Sequence, residues 1–189
     1  MQFIYVNQGN NFKYFIHRVS NDSLNLSGNY TVISKEAFSY SSIKDIIVKA
    51  PVSCIQESAF KECGDIESVI FTGTTGNSEI VSEDSLDQSL KSSIMKIDSE
   101  DTFTIQKDAF KNCTKLVTVM LPETKKIVIE KDAFYSCESL RTVVAVADAC
   151  EFSGNPFENC SQNITFICRE NSEVAKFVRE YGYKSVYVK

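Results

Sequence analysis

The chain contains a single histidine, His17. A zinc site built from several histidines is thereby excluded, and a Cys-His nucleophile pair would have to recruit this one residue. Cysteine numbers seven, with no CxxC pair and no zinc-knuckle spacing, so at least one thiol stays unpaired within the molecule. Positive charge is also short: 20 Lys and Arg against 25 Asp and Glu leave a formal charge of -5 and a pI near 5.0. Neither nucleic acid nor an anionic membrane is an expected partner of such a chain. No run approaches the ~18 apolar residues of a membrane span. The first residues, Met1 to Asn7, turn polar too early for a secretory leader. P-loop, G-x-S-x-G, G-x-G-x-x-G, H-E-x-x-H and EF-hand patterns are missing. The acidic pairs Glu83-Asp84 and Glu100-Asp101 read as solvated loop residues. No catalytic, cofactor-binding or metal-ligating residue is therefore expected. What is present, 189 residues of which 43% are hydrophobic, suffices for the core of one domain.

Aligning the chain on its Ala-Phe dipeptides reveals a period. The frame I-x-x-x-A-F occurs at Ile33 to Phe38, Ile55 to Phe60, Ile105 to Phe110 and Ile129 to Phe134. It continues as x-x-C-x-x-L-x-x-V-x-L, filled by Cys63, Ile66, Val69 and Phe71, by Cys113, Leu116, Val119 and Leu121, and by Cys137, Leu140, Val143 and Ala145. Phe152 and Pro156-Phe157 open a worn copy that keeps Cys160, Phe166 and Cys168. The first copy has Ser41 for the cysteine and places Ile43, Ile46 and Val48 one residue early. Val81 to Leu86 is expected to fill the gap between Phe60 and Phe110, with Leu86 for phenylalanine, Ser89 for cysteine and Met95 and Ile97 for the strand pair. Six units at roughly 22 to 26 residues result, within the leucine-rich-repeat range.

The V-x-L pair alternates with the period of a strand, so each coil adds one strand to a parallel ladder. The I-x-x-x-A-F segment returns along the opposite wall, with Ile and Phe inward and Ala allowing close approach of the next coil. No coil can bury its apolar face alone, so both ends need covers. Ser172 is placed to cap a helix bearing Val174, Phe177, Val178 and Tyr181 that stops at Gly182, before a strand Ser185 to Val188. At the other end, Phe12 to Val19 reads as a strand and Thr31 to Ile33 as the entry to the first repeat.

The frame complete in Ile105 to Pro122, together with the tail Asn171-Ser172-x-x-Ala175, resembles the BspA-like leucine-rich repeats over roughly residues 33 to 189. The resemblance implies a leucine-rich-repeat solenoid, an α/β-type right-handed superhelix of mostly short parallel strands, loops and turns. About six repeats are expected, with an N-terminal β cap at 1–32, repeats at 33–168 and a C-terminal helix-strand cap at 169–189. It implies no catalysis and a cell-surface or extracellular role in adhesion to a host or matrix protein. The alternative is an intracellular scaffold or regulatory protein, in the cytoplasm. A thiol-dependent hydrolase or redox enzyme is a third reading, which one fast-alkylating cysteine would support.

Two constellations bear on function. Cys63, Cys113, Cys137 and Cys160 share one repeat position and should form a column; the simplest reading is a ladder of buried small residues, with disulfides or a metal set as alternatives. The outward strand positions read Ser68, Ile94, Thr118, Thr142 and Thr165 in one row, and Ile47, Ile70, Lys96, Met120, Val144 and Ile167 in the next. A row of Ile, Met and Val beside a threonine row marks a face for a protein partner or another copy of the chain. The competing reading is a strip covered by neighbouring side chains or a cap. If the row is open, lysine at Met120 and Val144 should leave folding intact. Six N-x-S/T sequons, at Asn21, Asn25, Asn29, Asn112, Asn159 and Asn163, decide nothing alone.

Overall fold

The structure, a computed structural model, describes residues 5–8, 11–14, 23–27, 31–71 and 102–188. Two seven-stranded sheets form the walls of a solenoid. The first contains β1 (Tyr5–Gln8), β2 (Asn11–Tyr14), β4 (Val32–Ile33), β6 (Cys54–Ile55), β8 (Thr102–Ile105), β10 (Thr124–Ile129) and β12 (Ala147–Phe152). The second contains β3 (Ser23–Leu26), β5 (Asp45–Val48), β7 (Ser68–Phe71), β9 (Thr118–Met120), β11 (Thr142–Val144), β13 (Thr165–Arg169) and β14 (Lys184–Val188). Neighbouring strands pair in parallel, apart from the antiparallel β1–β2. Each coil gives one strand to each sheet, so the described residues form six coils, from β2/β3 to β12/β13.

The count of six agrees with the repeat spacing, but its membership differs. β2 and β3, within the segment expected as the N-terminal cap, supply the strands of the first coil, as β2 pairs with β4 and β3 with β5. In the middle, β6 pairs directly with β8, and β7 with β9. Phe60 stacks on Phe110 with ring centroids 5.1 Å apart. That is one coil spacing, so no further coil lies between them; the expected stand-in Leu86 lies outside the described residues. The degenerate copy from Val81 to Ile97, with Ser89 and Met95, lies outside the described residues.

The repeat frame reappears as registered columns. Ile33, Ile55, Ile105, Ile129 and Phe152 pair successively along the first sheet. Ile46, Val69, Val119, Val143 and Phe166 do so along the second, and all ten are inward. Only Phe152 is less than fully buried. Between the sheets run Phe38, Phe60, Phe110, Phe134 and Phe157, each ring 5.1 Å from the next and within 7° of parallel. A centroid separation this wide at near-zero tilt is offset stacking, the arrangement that keeps one negative π face off another.

The Ala-Phe wall is held by alternating backbone bonds. The N–H groups of Phe38 and Tyr40 donate to Ala59 and Lys61 of the next coil, while those of Ala37, Ser39 and Ser41 close turns within their own. This alternation places the residue before Ala and the second residue after Phe in the left-handed region, at φ 57 to 61° for Glu36, Tyr40, Ser58, Glu62, Asp108, Asn112, Asp132 and Ser136. Asp and Asn tolerate that conformation best among residues with a side chain. The wall has a second tie. Gln56, Gln106 and Glu130, each following the repeat isoleucine, accept from the backbone N–H of Lys35, Glu57 and Lys107 one coil back, at 2.9 to 3.0 Å.

The C-terminal cover follows the sequence closely. Helix α1 (Glu173–Tyr181) starts at Ser172, whose Oγ accepts from the Ala175 N–H at 3.2 Å, and stops at Gly182, which adopts φ 74°. Val174, Ala175, Phe177 and Val178 are buried, whereas Tyr181 lies at the rim, in contact with Phe177. Ser172→Ala removes the acceptor for an otherwise orphaned helix N–H and is expected to cost about 1 kcal/mol, read as a lower urea midpoint with an unchanged slope.

Candidate functional site

The outer surface of the second sheet carries the expected rows in register. Asp45, Ser68, Thr118, Thr142, Thr165 and Lys184 stand side by side across five coils and the terminal strand. Beside them run Ile47, Ile70, Met120, Val144, Ile167 and Val186. The parallel ladder therefore brings all nine expected face residues onto one surface. Ile94 and Lys96 lie outside the described residues. Asp45, Lys184 and Val186 extend the rows and were not among the expected residues, although Asp45 lies 23 positions before Ser68, one repeat away.

Burial divides the aliphatic row. Ile47 and Met120 are half-buried, Ile70 is 9% exposed, and Val144 and Ile167 are only 2% and 3% exposed. Val144, Ile167 and the neighbouring Val146 form a small apolar cluster separate from the main core, with Met120 and Val188 packed against it. Lysine at Val144 would place an ammonium in that cluster, so the expectation that this substitution leaves folding intact does not hold. Thr118, Thr142 and Thr165 are half-buried. Ser68 is more enclosed and donates to the Asp45 carboxylate at 2.6 Å. At the corner where the second sheet turns into the first, Arg169 bridges Glu123 and Asp148 at 2.8 and 2.7 Å, tying three successive coils.

The thiols form the expected column. All seven cysteines are free, and Cys63, Cys113 and Cys137 are completely buried. Each column thiol donates to a phenylalanine carbonyl one coil back: Cys63 to Phe38, Cys113 to Phe60, Cys137 to Phe110 and Cys160 to Phe134, at 2.9 to 3.1 Å. Ser41 opens the column, its Oγ 3.3 Å from the Cys63 sulfur. The thiols are thus hydrogen-bonded packing groups as well as small apolar ones. Among the described residues no group of His, Cys, Asp and Glu is arranged to hold a metal ion. His17 lies outside them.

Burial pushes the Cys63, Cys113, Cys137 and Cys150 thiols up, Cys150 to about 12. In the unfolded chain the same groups ionise near pH ~8.5. The folded state then holds more protons than the unfolded state above that pH, so stability from this source is complete below it and falls as pH rises through the folded values. The urea midpoint under reducing conditions is expected to drop between pH 8 and 10. Cys113→Ser, which removes one titrating thiol, should drop less.

Two parallel ladders, one aromatic column and a capped end define a repeat solenoid with a broad registered outer face. The model of the BspA-type leucine-rich repeat region, a run of six copies, matches residues 11–91 and again 79–177. The chain belongs to this BspA-type leucine-rich-repeat family. The family is a repeat-based protein-interaction scaffold, typically without catalysis. No curated protein and no solved structure matches the chain. No helix among the described residues is long and apolar enough to cross a membrane.

Proposed function

We propose that this protein binds another protein through the outer face of its second sheet, as an adhesion module at a cell surface or in the extracellular space. The observation that carries the reading is the registered pair of rows. The half-buried Thr118, Thr142 and Thr165 lie beside the half-buried Ile47 and Met120 on a surface spanning the solenoid, with Ile70, Val144 and Ile167 packed beneath as its apolar floor. Hydroxyls that bond a partner beside aliphatic groups that exclude water suit a protein ligand better than a small molecule, which needs a concave pocket. Solenoids present such surfaces as extended binding sites. The family's frequent association with surfaces favours the extracellular setting over an intracellular scaffold.

The test is saturable binding of the whole protein to intact cells and to immobilised extracellular-matrix protein. It is compared with a variant carrying Thr118→Lys, Thr142→Glu and Thr165→Lys, whose alternating signs let the new charges pair across strands. The variant should keep its melting profile and lose binding by more than about ten-fold, which is ~1.4 kcal/mol. Equal binding by both proteins would place recognition elsewhere on the molecule. Wild-type binding confined to cytosolic protein would support the intracellular scaffold.

A further inference from the structure

The thiol column has one open end. Cys63, Cys113 and Cys137 are sealed by a coil on either side, whereas Cys160 faces the cap and is only half-buried. We propose that Cys160 is a modifiable thiol with Cys137 as its resolving partner, so that a peroxide-class oxidant closes a 137–160 disulfide between the last two coils.

The column supplies the geometry. Cys137 and Cys160 each follow their repeat phenylalanine by three residues, and Phe134 and Phe157 stack at 5.1 Å. Adjacent coils spaced by about 4.8 Å fall within the Cα separation of roughly 4.4 to 6.8 Å that a disulfide spans. Side chains at this column position do touch between coils, as Ser41 and Cys63 do. Releasing the two sulfurs from their carbonyls orphans neither acceptor. Phe134 keeps the backbone N–H of Cys137, and Phe110 keeps that of Cys113, both at 3.2 Å. The pair therefore reorients without leaving a buried acceptor unsatisfied.

The chemistry favours Cys160 as the attacking group. The Cys137 thiol can hydrogen-bond to the Cys160 thiolate, which lowers the Cys160 thiol below its ordinary range, while burial raises Cys137. The Cys160 thiolate attacks the peroxide O–O bond; an S–O bond forms and hydroxide leaves. Cys137 then attacks the sulfenyl sulfur, the S–S bond forms, the S–O bond breaks and water departs. In sum two thiols and one peroxide give one disulfide and two waters. No other partly open thiol has this arrangement. Cys54 is flanked in its ladder by Val32 and Thr104, and both burial and the Glu130 carboxylate raise its thiol. Cys150 and Cys168 are buried.

The reduced whole protein is treated with hydrogen peroxide, alkylated in denaturant and mapped by mass spectrometry. Two of the seven thiols should be lost, joined as a single 137–160 link. In Cys137→Ser, a sulfenic acid should accumulate at Cys160 and be trapped by dimedone. In Cys160→Ser, Cys137 should stay reduced over the same interval. Serine already occupies this column position at Ser41, so both variants should retain the wild-type circular dichroism, which is measured alongside. Oxidation reaching Cys54 first, a link through any other pair, or Cys160 alkylating no faster than Cys113 would each overturn the assignment.

Discussion

Phe110→Ala is expected to cost about 3–5 kcal/mol, the range for deleting a fully buried aromatic ring. Phe110 has no exposed surface and stacks on Phe60 below and Phe134 above. Its loss leaves a gap that closely stacked coils cannot close without breaking their ladders. A domain of this size is stable by only ~5–15 kcal/mol, so the variant should lose a large share of its reserve. The effect has a position as well as a size. In a solenoid each coil contacts only its neighbours, so weakening the 60–110–134 contacts should let the N-terminal coils unfold apart from the C-terminal ones. Urea melts followed separately by circular dichroism and by hydrogen exchange of each half should then diverge. A cost under ~1 kcal/mol with one shared transition would mean that the ring is not the packed link described.

Phe177→Ala should have a comparable energetic effect and a different outcome. Phe177 is the centre of the terminal aromatic cluster, 3.9 Å from Phe152 and within about 6 Å of Phe157, Phe166 and Tyr183. Its ring joins α1 to the aromatic side chains of the last coil. Without it the helix should detach at a local cost of about 3–5 kcal/mol, leaving those rings open to water at the end of the array. An uncovered solenoid end is an apolar surface with an unpaired strand edge, which favours association. Light scattering should show concentration-dependent oligomers for the variant, with increased binding of an apolar dye. A monomer with wild-type dye binding and melting would show that the cap holds by other contacts.

The sequence made the interior legible and the order of its coils less so. Ile33, Ile55, Ile105 and Ile129 announce inward positions because their spacing to Ala-Phe never varies, and all four lie in one ladder. Spacing states which residues face in, not which coil lies beside which. Strand register decides that. The segment from Val81 to Ile97 meets the spacing loosely, yet β7 pairs directly with β9. Leu24 and Leu26 precede Ile46 and Val48 by 22 residues and do form a coil, but no Ala-Phe dipeptide marks them. The left-handed turn positions carried a signal in Asp108, Asn112 and Asp132, diluted by Glu36, Tyr40 and Glu62 at equivalent places. On the outer face, alternation located Val144 and Ile167 correctly as outward residues. It could not foresee that Val146, beyond the strand end, would join them in a second apolar cluster.

The direct stacking of the coil that holds Phe60 onto the coil that holds Phe110 fixes the order of the whole array. Nuclear Overhauser contacts in a sample with labelled phenylalanine rings and leucine methyls test it in one spectrum. Ring-to-ring contacts between Phe60 and Phe110, matching those between Phe110 and Phe134, are the expected result. Contacts from both rings to the methyls of Leu86, with none between the rings themselves, would contradict it.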